Sequence, residues 1–206
     1  MSFQDLRNAV QGEIFDYQML MFHLSEYKKP RDKATLLLKN QSIIKIKKGL
    51  YIFGPTYQRR SISYELIANL IYSPSYISLE YALSKHGLIP ERAHTVTSIC
   101  LSRSKSFNTP IGTFSYASRH ASVYPLGIQQ VELPQEGSYL IAQPEKALAD
   151  LIFQVKEIRD VQEMKEYLYE NMRMEEADLK KLNQKFLAEI ISAYKMPNTI
   201  IQAIYD

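Results

Sequence analysis

Ile43-Ile44-Lys45-Ile46-Lys47-Lys48-Gly49-Leu50-Tyr51-Ile52-Phe53 is the stretch that decides how the first part of this chain folds. β-Branched and aromatic residues flank a Lys-Lys-Gly turn, the pattern of a two-stranded hairpin, and Gly54-Pro55 closes it. Just upstream, Lys28-Lys29-Pro30 breaks one helix and opens another, because proline is tolerated in a first helical turn. That helix, about 31–41, turns Ala34, Leu37 and Leu38 inward and leaves Arg31, Lys33, Thr35, Lys39 and Asn40 for the outer surface. Not all of these can share one face. Further upstream, Asp16 caps a helix running to Tyr27, with Met19, Leu20 and Leu24 on one stripe. Phe3, Leu6 and Val10 mark a short first helix that Gly12 ends. Three helices followed by a hairpin is the order of a winged helix-turn-helix, expected here over residues 1–58.

Charge is distributed unevenly about this unit. Residues 1–60 hold 11 Lys/Arg against 5 Asp/Glu, whereas residues 61–206 hold 14 against 17. Between Lys28 and Arg60, 10 basic residues face only Asp32. A cluster of this kind suits phosphate contacts, and a solvated basic face fits the same numbers, so charge alone does not separate the two. The predicted shape points further. A helix fits the roughly 12 Å major groove, and a lysine-tipped hairpin reaches phosphate or minor groove. The candidate DNA-binding residues are therefore Arg31, Lys33, Thr35, Lys39, Lys45, Lys47 and Lys48. Lys45, Lys47 and Lys48 are expected at phosphates, and Arg31, Thr35 and Lys39 near base edges.

Residues 62–206 predict a second, α+β domain with an antiparallel sheet and a helical C-terminal tail. Ser63 to Leu70 has helical character, and Ser73-Pro74-Ser75 breaks it. Ser78 is placed to cap a helix over 79–86, with Gly87 at its C-terminal cap. The run containing Val96, Ile99 and Leu101, then Thr113–Tyr116, Ile128–Leu133 and Tyr139–Ala142, are strand candidates. Pro144-Glu145 opens another helix. From 155 onward the pattern is helical: Val155, Ile158, Val161, Met164 and Leu168 form one stripe, and Leu179, Leu182, Phe186, Ile190 and Tyr194 a second.

Residues that could carry catalysis are thinly spread. Ser102-Arg103-Ser104-Lys105 matches an S-x-x-K pattern common enough to arise by chance, and its companion motifs are missing. His86, His94, Cys100 and His120 follow no compact zinc spacing. There is no glycine-rich phosphate loop, G-x-S-x-G, H-E-x-x-H or D-x-D. The 15 Tyr and 8 Phe are dispersed rather than paired amid bases, which favours core packing over base stacking. An enzyme is not expected, nor a cofactor or metal. The single cysteine excludes an intramolecular disulfide and fits a reducing compartment. No apolar run approaches the roughly 20 residues of a bilayer span, and Met1–Arg7 lacks the charged-then-apolar plan of a signal peptide. A cytoplasmic location, with no membrane partner, is expected.

Several segments resemble the AbiEi-type antitoxins of type IV toxin–antitoxin (abortive infection) systems. They are the hairpin Ile43–Tyr51, the run Pro74-Ser75-Tyr76-Ile77-Ser78-Leu79-Glu80-Tyr81-Ala82-Leu83-Ser84-Lys85-His86-Gly87-Leu88-Ile89-Pro90, Thr95–Ser98, Gly112–Tyr116, and Ala142-Gln143-Pro144-Glu145-Lys146-Ala147-Leu148-Ala149-Asp150. The likeness covers about residues 15–155, and the 74–90 stretch is its most distinctive part. It implies a transcription repressor that binds double-stranded DNA at its own promoter. It also implies an antitoxin that counteracts a nucleotidyltransferase-like toxin as a functional rather than a stable physical partner. Its DNA-contacting positions carry over onto Arg31, Lys33, Lys39, Lys45, Lys47 and Lys48; the 74–90 and 142–150 segments carry over no catalytic role and read as core. One departure stands out: the third helix begins Lys-Pro-Arg-Asp, where many relatives have a Ser/Thr-capped helix. A protein-interaction module, or a stand-alone regulator without a toxin, is the alternative the residues leave open.

Overall fold

The computed structural model describes residues 3–155 and 158–206. It is a mixed α/β structure with a small antiparallel sheet and a larger mixed one. The first part runs α1 (Phe3–Ala9), β1 (Ile14–Asp16), α2 (Tyr17–His23), α3 (Pro30–Lys39), β2 (Ile43–Lys47) and β3 (Leu50–Phe53). The Asp16 carboxylate accepts from the Met19 amide at 2.8 Å and so caps α2. Pro30 opens α3, which has no side-chain cap. β1 was not expected from the sequence, since Ile14-Phe15-Asp16 is too short for a two-residue period to register. It pairs antiparallel with β3, giving the order β1-β3-β2.

β3 explains the unbroken apolar run Leu50-Tyr51-Ile52-Phe53: all four residues are buried, because both faces of the sheet are covered. Phe15, Ile43, Tyr51 and Phe53 pack with Leu6, Leu20, Leu24 and Leu37 of the three helices. Ile46, Leu50 and Ile52 on the other face belong to the main core, built mostly from residues beyond 62. Each such side chain, fully buried, contributes about 1.5–3 kcal/mol. The link Gln58–Ile62 is also pinned on both sides. The Arg59 amide donates to the buried Glu13 carboxylate (3.0 Å), which itself pairs with Arg7 (3.2 Å). Arg60 donates to the Pro134 carbonyl (3.0 Å) and the Gln135 side chain (2.8 Å).

Beyond the link come α4 (Tyr64–Ile71), β4 (Ser75–Ile77), α5 (Leu79–Lys85), β5 (Val96–Cys100), β6 (Lys105–Thr109), β7 (Gly112–Ser118), β8 (Ile128–Leu133), β9 (Gly137–Ala142) and α6 (Pro144–Ile152). The six strands lie in the order β6-β7-β5-β4-β9-β8. The sheet is not the antiparallel one expected: β5 pairs parallel with β7 over five positions, and β4 parallel with β9. The physical reason is β6, a polar edge strand that shows little apolar alternation. It turns back on β7 as a hairpin, so β7 returns in the direction of β5. Alternation reports a half-buried strand but carries no information on direction.

α5 also departs from expectation. The Ser78 hydroxyl does not cap it but donates to Asp150 (2.7 Å). Thr97 on β5 takes over, its hydroxyl accepting from the Tyr81 amide (3.1 Å) and donating to the Ser78 carbonyl (2.7 Å). Gly87, left-handed at φ 74°, ends the helix as expected.

The tail comprises α7 (Val161–Lys165), a π-helical turn Glu166–Asn171, α8 (Glu176–Leu179), α9 (Gln184–Ala193) and α10 (Thr199–Tyr205). Its predicted stripes are broken. Val155 and Ile158 precede α7, which starts only after the Asp160 cap, and Lys156 and Glu157 lie outside the described residues. Asn183 splits the second stripe by capping α9.

Candidate nucleic-acid interface

α3 stands with one face on the N-terminal core, through Ala34 and Leu37, and the opposite face in solvent. At 100° per residue, Arg31, Thr35 and Lys39 fall on one exposed row, flanked by Asp32 and Leu36. Lys33 does not join them. It is half-buried on another side of the helix, its ammonium 5.1 Å from the centre of the Tyr27 ring. The Thr35 hydroxyl donates to the Arg31 carbonyl one turn back (3.0 Å), leaving its oxygen only as an acceptor toward solvent. Asp32 sits 3.8 Å from Lys29, both exposed.

The hairpin divides its three lysines by register. Lys45 is opposite Tyr51, which faces the helices, so its side chain leaves the sheet on the side of α3 and is exposed. A regular strand would put Lys47 beside it. Instead a bulge between Lys45 and Lys47 sets Lys47 opposite Leu50, whose side chain faces the main core. Lys47 is accordingly half-buried, and its ammonium donates to the Leu70 carbonyl (3.0 Å) and the Ile71 carbonyl (2.6 Å) at the end of α4. These are carbonyls a helix terminus leaves unpaired, at the negative end of its dipole. Burial pulls the Lys47 ammonium below its ordinary range. Lys48 stands exposed at the tip.

Arg31, Thr35, Lys39, Lys45 and Lys48 are thus the exposed members of the predicted set, while Lys33 and Lys47 serve the fold. Lys28 and Lys29, exposed before α3, were present in the charge count but not singled out by position. Arg59 and Arg60, counted in the same basic run, are occupied within the chain. The helices of this first part also expose apolar side chains: Met19 and Phe22 on α2 and Leu36 on α3 are 42%, 61% and 45% exposed.

The remaining chemistry-bearing residues lie elsewhere and apart. Lys105 reaches over Phe107 at the sheet edge (4.8 Å), and the Ser104 hydroxyl accepts from the Ser118 amide (3.0 Å). His86 bonds the Ala142 carbonyl (2.8 Å), and the Cys100 thiol donates to the Ser102 carbonyl (3.3 Å). Burial raises that thiol's pKa.

Sequence reasoning took 74–90 and 142–150 for plain core and missed a buried polar cluster built from both. Asp150 on α6 accepts from the hydroxyls of Tyr76 (2.9 Å), Ser78 (2.7 Å) and Tyr194. Lys146, one turn before it, bonds the Val123 carbonyl (2.8 Å) and the Tyr194 hydroxyl (2.7 Å). Arg119 donates to the Asp150 carbonyl (2.8 Å). Burial first, then the Asp150 charge, pushes the Tyr76 and Tyr194 hydroxyls far up, which keeps them neutral donors; burial pulls Lys146 down against the hold of Asp150. The i, i+4 spacing of Lys146 and Asp150 was the one signal available. Comparison of the chain with protein-family models and with curated proteins returns no match.

Proposed function

We propose that this chain is a DNA-binding transcription autorepressor and antitoxin, its residues 1–58 acting as a winged helix-turn-helix and residues 62–206 as the antitoxin domain. The reading rests on one observation above others: Arg31, Thr35 and Lys39 share the outer row of α3, with Lys45 on the same side of the sheet and Lys48 at the hairpin tip. Such a surface presents a helix of major-groove width beside cations able to neutralise phosphates. Arg31, Thr35 and Lys39 approach base edges, and Lys45 and Lys48 hold the backbone. Lys33 and Lys47 keep the module in shape. The partners are double-stranded DNA at the chain's own promoter, in the cytoplasm, and a nucleotidyltransferase-like toxin counteracted without a stable complex, as the resemblance to AbiEi-type antitoxins implies.

Nuclease protection of the DNA upstream of the gene tests the repressor half: a protected, repeated sequence is expected, and none would overturn it. Co-expression with the adjacent reading frame tests the antitoxin half, where restored growth is expected. A second reading, a protein-interaction module, is favoured by the exposure of Met19, Phe22 and Leu36. It predicts a stable co-purifying protein and no protected DNA.

A further inference from the structure

The buried cluster around Asp150 carries one carboxylate against two cations. Lys146 lies 3.5 Å and Arg119 3.7 Å from the same carboxylate oxygen, with all three side chains buried. Arg119 is only partly satisfied: its terminal nitrogens bond the Ser118 and Asp150 carbonyls, while its buried Nε makes no hydrogen bond. A surplus positive charge in a place this dry is costly without an anion nearby.

Beside Arg119 the surface opens into a cleft of about 310 Å³. His120, Ser122 and Lys195 stand on its rim, Phe153 and Tyr194 form a wall, and among the described residues no carboxylate lines it. His120 is anchored through Nδ1, which lies 2.8 Å from the Ser122 hydroxyl and 3.3 Å from the Ser122 amide. Lys195 occupies the left-handed position (φ 56°) of a C-terminal cap on α9, with amide bonds from Lys195 to Ser192 and from Met196 to Ile191. Glycine would sit there without steric cost, so a lysine at the cleft rim is not what helix stability favours. Phe153 packs against the Arg119 guanidinium (4.9 Å) and the Tyr194 ring (4.9 Å) and is still 45% exposed.

We propose that this cleft binds a mononucleotide, its phosphate held by Arg119, His120 and Lys195 and its base stacked on Phe153. The cleft is at the small end of ligand sites, which run from about 300 Å³ upward, and suits one nucleotide rather than a strand. Planar ring over aromatic, and phosphate beside guanidinium, are the contacts such a ligand needs. The assignment does not depend on the DNA-binding reading.

Calorimetric titration of the full chain with each of the four ribonucleoside monophosphates, and with inorganic phosphate, tests it. Saturable one-to-one binding of at least one nucleotide is expected, with inorganic phosphate competing weakly. Lys195→Glu should weaken both ligands about 10-fold or more. Phe153→Ala should weaken the nucleotide about 5- to 150-fold and leave phosphate unchanged. Both side chains are exposed, so circular dichroism and Tm check that the variants fold, which Arg119→Met would put at risk. Absence of binding by all four nucleotides, binding indifferent to both variants, or phosphate bound as tightly as any nucleotide would overturn the proposal.

Discussion

Replacing Lys45 and Lys48 together by glutamine is the sharpest perturbation of the proposed DNA contact, because both ammonium groups are exposed and neither supports the fold. Each phosphate contact on duplex DNA contributes about 0.9 to the slope of log K against log salt. Two lost contacts should flatten that slope by about 1.8. At 0.1 M salt each contact is then worth about 8-fold in affinity, and the pair about 60-fold, or about 2.4 kcal/mol. Lys47→Gln provides the internal contrast. Its ammonium is committed to the Leu70 and Ile71 carbonyls, so the substitution should cost about 1–3 kcal/mol of stability and leave the salt slope unchanged. Lys185→Gln, exposed on α9, controls for loss of charge in general. The assay is fluorescence anisotropy on labelled promoter DNA at a series of salt concentrations, with denaturant unfolding in parallel. A double variant that keeps the parent slope, or a Lys47 variant that flattens it as much, would refute the division of the hairpin lysines by register.

The packing sets three further outcomes. Gly54→Ala drives a new Cβ into the backbone carbonyl of Gln41, where the Gly54 amide already bonds Ser42 at 2.8 Å, so a loss of about 1–3 kcal/mol or more is expected in urea unfolding. Asp150→Asn leaves two buried cations without their counter-charge and should cost about 3–5 kcal/mol, against about 1–2 kcal/mol for Tyr194→Phe, in the same measurement. For Glu65, burial raises the pKa, but the hydrogen bond (2.5 Å) and charge of Lys85 outweigh it and hold the carboxyl below its ordinary range. A depressed acid stabilises the fold above its unfolded pKa of about 4.3 and loses that contribution as pH falls through the lower folded value. Lys85→Met should therefore move the acid-unfolding midpoint to higher pH, and an unmoved midpoint would count against the pair.

Legibility in the sequence tracked the range of the interactions. The Asp16 cap, the hairpin around Gly49 and the Gly87 stop are set within a few residues, and each forms as expected. Ser78 failed as a cap because its competitor, Asp150, lies 72 positions away and Thr97 supplied the substitute from a neighbouring strand. β6 stayed hidden because an edge strand in solvent needs no apolar alternation. Lys47 failed for a subtler cause: one extra residue in β2 reverses the face of every residue after it, and no local residue pattern announces the bulge. Within the proposed site, residue types and helix were legible, and side-chain direction was legible only for the Arg31, Thr35 and Lys39 row of α3, where the helical period fixes it; Lys33 on the same helix is half-buried against Tyr27 instead.

The bulge also ties the proposed DNA contact to the rest of the chain. Because β3 is buried on both faces, the sheet beneath α3 is also a wall of the main core, through Ile46, Leu50 and Ile52. Lys47 adds a charge-assisted clamp from that sheet to the end of α4, and the Asn69 side chain on α4 in turn accepts from the Leu140 amide of β9 (2.6 Å). A chain of direct contacts therefore runs from the hairpin through α4 to the strand that leads into α6 and its Asp150 cluster. Any ligand that changes the packing around α6 acts on the same core that holds the hairpin at its angle to α3. By linkage, its effect on DNA affinity would equal the effect of DNA on its own binding. A unit bound only by a flexible link would permit no such coupling; this one shares a core across the link.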